Sequence, residues 1–430
     1  PDEIQNVVQI PLLKEKALAN SPQIKSFKQV LAQKQAAYSG ALAKWWPRLD
    51  AQISQNRTNS YLGSSGTTMT SVGSETEYKQ TSLTLSMPLY RRSVHLNIDL
   101  ASIELEMAKL DLDISTSDLE AKLFAQTSAY LLAMYREAAL QKALEVANAN
   151  AKEAEARFHL GTRTKLDVLK TSVQLTSLEG KLLAAKTQSL KDFHSLRELT
   201  GVSDADLSGL VTTDENTSEN FLHKFIDSYP TLFFPYEYEK NPEQIEKSSP
   251  FLRKARIQKE LTDRQLHGLT AGEWPELSLK ASLSKTDESW ARAIDSKDAN
   301  RSIAVVLTIP IFAAGGGVFA HQEKLAGLAG ASLRAETEMS RTRNDIQELY
   351  LQIKSQVKIV EASKLKRDQT KEIERLTQKL WELGKASAVH LLTAQNDVLE
   401  AKIEFAKAKM DDANLRFQLA LQMGYGRTEL

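Results

Sequence analysis

Phe158-His159-Leu160-Gly161-Thr162-Arg163-Thr164-Lys165-Leu166-Asp167-Val168-Leu169 interrupts a long helical pattern with one glycine and restarts a helix at once. It returns near the C-terminus as Trp381-Glu382-Leu383-Gly384-Lys385-Ala386-Ser387-Ala388-Val389-His390-Leu391-Leu392. The aromatic residue, the Leu-Gly pair and the later apolar positions recur at an offset of 223, from 158 to 381, 161 to 384 and 169 to 392. A repeat this far apart duplicates half of the chain.

Upstream of the first copy, residues 93–158 contain neither proline nor glycine. They read as one helix roughly 100 Å long at the standard rise. Leu140, Leu144, Ala147, Ala151, Ala154 and Phe158 step by four and three, the rhythm of a coiled-coil seam. Downstream, a helix from Thr164 to about Leu199 ends at Gly201, a C-terminal cap. Before the long helix the period changes. Leu49, Ala51 and Ile53 alternate with polar residues, as do Leu83, Leu85, Met87 and Leu89, so two strands are expected within a hairpin at about 46–90. The Asn-, Ser-, Thr- and Gly-rich stretch 56–77 between them reads as a polar loop. Two helical segments, 4–20 and 22–44, precede the hairpin, with Ser21-Pro22 as cap and first turn.

The second half repeats this programme. Ser249-Pro250 echoes Ser21-Pro22 and Trp274-Pro275 echoes Trp46-Pro47, both at an offset of 228. Strands are expected at 277–283 and 303–311, within a hairpin at about 274–312 whose loop is 284–301. Ile309-Pro310-Ile311-Phe312 echoes Met87-Pro88-Leu89-Tyr90. A long helix from about Val318 to Leu383 carries Ile346, Tyr350, Ile353, Val357 and Val360 as its seam, and the last helix carries Leu399, Ile403, Ala406, Met410, Ala413, Phe417 and Ala420. The organisation is a first repeat over 1–201 with its tip at 160–164, a linker over 202–244, and a second repeat over 245–430 with its tip at 383–387.

Composition excludes several classes. The 430 residues carry 55 basic and 55 acidic side chains, a net charge of zero, so there is no electrostatic footprint for nucleic acid. Cysteine is absent, which excludes disulfides and thiolate metal sites. No apolar run reaches the roughly 20 residues of a membrane helix, but strands of a barrel give a weaker signal. The seven histidines lack metal-ligand spacing, and neither a nucleophile elbow nor a phosphate loop is present. Gly315-Gly316-Gly317 lacks the Lys-Ser/Thr that a phosphate loop needs. The reading is a non-enzyme without cofactor or metal.

Four strands alone would leave two raw edges, which disappear when several chains share one closed barrel. Three copies would supply twelve strands, within the range of outer-membrane barrels. Pro47, Pro88, Pro275 and Pro310 all lie at the strand ends toward the helices, where the chain changes direction.

The duplicated plan, the Trp-Pro strand starts, Met87-Pro88-Leu89-Tyr90 and Ile309-Pro310-Ile311-Phe312, and the tip Leu160-Gly161-Thr162-Arg163-Thr164 with Asp167-Val168-Leu169 together resemble the TolC family of outer-membrane efflux and secretion channels. The resemblance runs from about residue 6 to 424. It implies a mainly α fold with a small β portion: a homotrimer whose helical barrel continues into a twelve-stranded transmembrane β-barrel, four strands per chain. It further implies a Gram-negative outer membrane with its lipid, a tunnel through the periplasm, a periplasmic adaptor (membrane fusion) protein and an inner-membrane pump. The alternative is a periplasmic coiled-coil adaptor or structural scaffold without a channel. The heptad seams would fit it; the paired alternating strands oppose it.

The resemblance also assigns residues. Asp167 is a candidate for the periplasmic constriction, where three copies would favour cations; as a first-turn carboxylate it also suits the helix dipole. Lys170 stands where some members carry a second aspartate, and His390 and Thr393 are the corresponding positions of the other repeat. Gly161 and Gly384 are expected to close the helix-helix turns in the left-handed conformation. Adaptor docking is expected at the same tips, at Gly161, Thr162, Arg163, Gly384 and Lys385, with Arg163 and Lys165 as exposed charges. Trp45, Trp46 and Trp274 are expected either at the membrane interface or packed at the helix-strand junction.

Overall fold

The computed structural model describes residues 10–62, 72–204, 249–268, 274–294, 297–311 and 316–424. In chain order they form α1 (Ile10–Asn20), α2 (Pro22–Ala43), β1 (Arg48–Leu62), β2 (Val72–Tyr90), α3 (Arg92–His159), α4 (Lys165–Thr200), α5 (Pro250–His267), β3 (Glu276–Asp287), α6 (Trp290–Ile294), β4 (Asn300–Thr308), α7 (Gly316–Glu382) and α8 (Ala388–Gln422). The duplication is close to exact in length: α3 and α7 have 68 and 67 residues, α4 and α8 have 36 and 35. Residues 4–9 of the first expected helix, most of the 202–244 linker and Phe312 lie outside the described residues.

Compactness divides the chain across the duplication rather than along it. One unit takes residues up to 29, 109–256 and from 337 onward; the other takes 30–108 and 257–336. Each unit therefore draws the same part from both repeats.

The first unit is a helix bundle. Its main core joins Leu13 and Ala17 of α1, Ile24 of α2, Leu119, Leu123, Phe124 and Leu131 of α3, Leu196 of α4, and Ala406, Met410, Ala413 and Phe417 of α8. Phe124 and Phe417 stack with ring centroids 4.5 Å apart. The heptad positions read from the sequence are largely the buried ones: Leu140, Ala147, Ala154, Ile346 and Ile353, and on α8 Leu399, Ala406, Met410, Ala413, Phe417 and Ala420. Helix α8 buries a second set as well, including Ala401, Phe405, Ala408 and Leu419, because it packs on more than one side. Gly201 caps α4 at φ 63°, its N–H donating to the Arg197 carbonyl. Asn20, at the end of α1, donates Nδ2 to the Thr200 and Gly201 carbonyls at 3.1 and 3.3 Å.

The second unit holds the sheet, four antiparallel strands in the order β1-β2-β3-β4. Strand side chains alternate between faces, and the register sorts them by chemistry. Leu49, Leu85, Ala281 and Ile303 make one row across all four strands; the adjacent row on the other face is Asp50, Thr84, Ser282 and Ser302. Ile303, Val305 and Leu307 are 82, 63 and 59 % exposed, and Leu49 and Ile53 are 60 and 63 % exposed. The apolar face is thus bare in the single chain. Among the described residues, β1 and β4 each pair on one side only. Among the flanking helices, Lys34 pairs with Glu104 at 2.7 Å and Lys259 with Glu336 at 2.6 Å.

The strands correct two expected loops. β1 and β2 remain paired through Asn56↔Tyr78 to Leu62↔Val72, so most of 56–77 is hairpin, and only 63–71 lies outside the described residues. Backbone pairing needs no apolar face, so a polar segment extends the ladder unseen by an alternation test. Within 284–301, β3 reaches Asp287, α6 follows, and β4 starts at Asn300. The fourth strand in turn ends at Thr308, short of Ile309-Pro310-Ile311. Pro47 and Pro275 immediately precede β1 and β3, and Pro88 sits where the β2–β3 register shifts. Proline has no N–H for the ladder, which suits all of these positions.

Gly201→Ala is expected to destabilise the bundle by at least about 1–2 kcal/mol, the cost of a left-handed residue with a Cβ. The added carbon would also lie 2.9 Å from the Asn20 Cβ. A lowered thermal midpoint in detergent would register this; an unchanged midpoint would refute it.

Candidate functional site: the paired helical tips

Both tips close by the same turn. Gly161 has φ 71° and Gly384 has φ 73°. The Gly161 N–H donates to Phe158 O at 2.9 Å and Thr162 N–H to Arg157 O at 3.0 Å. In the second tip Gly384 N–H donates to Trp381 O at 2.9 Å and Lys385 N–H to Leu380 O at 2.8 Å. This is the Schellman arrangement, which satisfies the last carbonyls of a helix through a left-handed residue. A Cβ at either glycine would touch nothing within 4 Å, so backbone conformation alone selects glycine.

The restarts differ. Thr164 is the N-cap of α4, and its Oγ1 accepts from the Asp167 N–H at 3.2 Å. Asp167 Oδ2 accepts in return from the Thr164 N–H at 3.3 Å and from Thr164 Oγ1 at 2.9 Å. That capping box uses the carboxylate locally and places its negative charge at the positive end of the helix. The second tip keeps the cap, Ser387 Oγ accepting from His390 N–H at 3.5 Å, but His390 stands where a reciprocating carboxylate would be. Lys170 is half-buried, and His390 and Thr393 are exposed. Thr162, Gly161, Gly384, Lys385 and Lys165 are exposed around the turns.

Arg163 departs from its expected place. It is half-buried, and its guanidinium lies over the Trp381 indole, 3.6 Å from the ring centroid. Its two terminal nitrogens donate to Ala386 O at 3.2 Å and Trp381 O at 3.1 Å. Trp381 is 1 % exposed and forms a small core with Ala386, Ala388 and Leu391. Arg163 therefore joins the first tip to the second, where the sequence suggested a free charge. A hydrogen bond from a charged donor contributes about 1.5–3 kcal/mol, and the stacked cation adds about 0.5–2 kcal/mol. Sequence periodicity contains no signal for this contact beyond one hint: at the 223-residue offset Arg163 aligns with Ala386 and Phe158 with Trp381. Behind the tips, Asn150 Nδ2 donates to Gln395 Oε1 at 3.1 Å and Gln174 Nε2 to Asn396 Oδ1 at 2.7 Å, tying α3 and α4 to α8.

At the other expected site, around the sheet, Trp46 and Trp274 are 70 and 43 % exposed. Trp45 is half-buried and sets its ring 4.8 Å from His95 of α3. Arg92 lies over Trp274 at 4.3 Å, and Arg91 pairs with Glu276 at 3.0 Å. Among the described residues no group of three or more His, Asp or Glu is placed to hold a metal ion. No described helix is long and apolar enough to cross a membrane.

Thr164→Ala removes the cap of α4 and is expected to cost about 1 kcal/mol, with faster amide exchange over 164–168 as the direct sign. Exchange unchanged at those amides would show that the box contributes nothing.

The comparisons speak to the family and the fold. The model of the outer membrane efflux protein family matches residues 13–202 and 241–424. No curated protein sequence matches the chain. Among solved structures, the CmeC outer membrane channel of Campylobacter jejuni superposes with a TM-score of 0.79 at 15% identity, covering 97% of this chain and 86% of that one. The outer membrane protein VceC of Vibrio cholerae gives 0.75 at 15%, covering 97% and 96%. The open state of the MtrE outer membrane channel of Neisseria gonorrhoeae gives 0.73 at 15%, covering 99% and 93%. These likenesses establish the fold, the family match carries the function, and the scaffold alternative falls with it: the chain belongs to the outer membrane efflux protein family, and it is an efflux channel of the outer membrane rather than an enzyme.

Proposed function

We propose that three copies close their sheets into one twelve-stranded barrel and their helices into a periplasmic tunnel, which an adaptor protein and an inner-membrane pump engage at the tips. The observation that carries this is the sheet itself, with one apolar face, one polar face and two edges that the described residues leave unpaired. In hydrocarbon an open edge is untenable, because each unpaired backbone group costs several kcal/mol. Joining β4 of one copy to β1 of the next removes both edges, turns the Leu49–Ile303 row to lipid and the Asp50–Ser302 row to a water-filled lumen. The protein does no chemistry; the pump supplies the energy.

The mass of the complex extracted from outer-membrane vesicles, after subtraction of detergent, should equal three chains. A monomer or dimer would sink the barrel. The two faces give a finer test. Ile303→Lys should destabilise the barrel by up to about 2–4 kcal/mol, as for cations near the bilayer midplane. Ser302→Lys, one residue away on the polar face, should leave stability unchanged and shift ion selectivity toward anions.

At the inner end Asp167 and Lys170, with His390 and Thr393 of the second hairpin, line the constriction in this reading. Gly161, Thr162, Gly384 and Lys385 present the docking surface for the adaptor. Asn retains the capping geometry that Asp167 provides. Asp167→Asn is therefore expected to keep the tip folded while reducing cation preference, measured as a smaller reversal potential across a salt gradient. An unchanged potential would place Asp167 away from the ion path.

A further inference from the structure

The apolar face of the sheet ends in positive charge at one end and not at the other. Read away from the helices, each strand passes on that face from apolar residues to a cation. On β3 Ala281 and Leu283 lead to Lys285, and on β4 Val305 and Ile303 lead to Arg301. On β2 Leu83 and Thr81 lead to Lys79, and on β1 Ile53 and Gln55 lead to Arg57. In the order β4, β3, β2, β1 each cation stands two residues further out than its neighbour's. The opposite face is uncharged along the same stretch, with Ser54, Gln80, Ser284 and Asn300. At the helix end, where Leu277 faces Leu307, the described strands carry no cation on the apolar face. Arg91 and Arg92, just beyond the strands there, are paired with Glu276 at 3.0 Å and laid over Trp274 at 4.3 Å.

The segment after β3 folds back over the cationic end. Lys79 Nζ donates to the Glu288 carbonyl at 3.0 Å and lies 5.9 Å from the Trp290 ring centroid. Lys285 donates to the Lys297 carbonyl. Each bond uses one of an ammonium's three donors. Arg301 is exposed on the edge strand. The described carboxylates of this face are engaged locally: Glu77 accepts from Gln55, and Asp287 Oδ1 accepts from the Ser289 N–H at 3.1 Å. Helix α6 sets the half-buried Trp290 beside the cations, and tryptophan favours the boundary between hydrocarbon and water.

We propose that this rim binds the phosphorylated headgroups of the outer-leaflet glycolipid. The inference rests on the barrel reading given above, which turns the apolar face to hydrocarbon and its far end to the cell exterior. Acyl chains then lie along Leu283 and Ile303, and the headgroup phosphates meet the cations that follow them. The Arg301 fork takes two phosphate oxygens, and each lysine acts as a point charge. The contrast between the two ends matches a bilayer whose outer leaflet carries the denser negative charge.

The full chain, extracted from outer membranes, is placed in phosphatidylcholine nanodiscs with bisphosphorylated lipid A, dephosphorylated lipid A or phosphatidylglycerol as the minor component. Native mass spectrometry then counts the lipid retained per three chains after transfer to detergent. Lipid A should be retained several-fold above both other lipids. Lys285→Gln combined with Arg301→Gln should abolish that excess, and Lys285→Arg combined with Arg301→Lys should keep most of it. Lys280→Gln, exposed on the polar face, should leave it unchanged. Equal retention of the dephosphorylated form overturns the phosphate contact, and equal retention of phosphatidylglycerol overturns the outer-leaflet source. Parent-like retention by the glutamine pair at three-chain mass overturns the rim as the site, as does an equal loss in Lys280→Gln. A mass other than three chains in the parent sinks the barrel reading and this inference with it.

Discussion

Hydrogen bonding of the backbone governs everything else in this protein. A strand crossing hydrocarbon must pair on both sides, because no water is there to satisfy an open edge. The described residues of this chain form four strands, with β1 and β4 each paired on one side among them. In the proposed assembly, twelve strands from three copies resolve that. The separation of faces is complete enough to orient the sheet: Leu49, Leu85, Ala281 and Ile303 form one row, and Asp50, Thr84, Ser282 and Ser302 the next.

The duplication explains how so few strands suffice. Each repeat adds one hairpin and one helical hairpin, and the β2–β3 pairing joins the two repeats into a continuous sheet. The helices obey the same economy. Their seams carry alanine at Ala147, Ala154, Ala406 and Ala413, all buried, which lets long helices pack closely. The compact units then group like parts of both repeats, so that the sheet unit and the bundle unit each contain two related halves.

At the tips, the duplicated turn supplies the form and the divergent residues supply the behaviour. Gly161 and Gly384 build the same Schellman turn, with φ of 71° and 73°. Asp167 completes a capping box that His390 cannot. Arg163 and Trp381 make the one contact for which the partner positions, Ala386 and Phe158, have no chemistry.

The residues that make local structure were legible in the amino-acid order. Gly161 and Gly384, the prolines at 47, 88, 275 and 310, the alternation at 49–53 and 83–89, and the heptad seams all act within a turn or two of backbone, so spacing alone reveals them. The length of β1 and β2 was not legible, because Asn56 to Leu62 pair through backbone groups that every residue type carries. The course of β4 was overread at Ile309-Pro310-Ile311, where apolar alternation outlasts the ladder. Asp167 could be assigned to the first turn of its helix from its position, but its return bond to Thr164 needed the folded turn. Arg163 marks the limit. Its charge and its place beside Gly161 suggested solvent, and only the tertiary structure, by bringing residue 163 onto residue 381, decided that it closes on an indole instead. Contacts across more than two hundred residues leave no periodic trace, since their geometry is set by how the helices pack and not by the order of residues along either one.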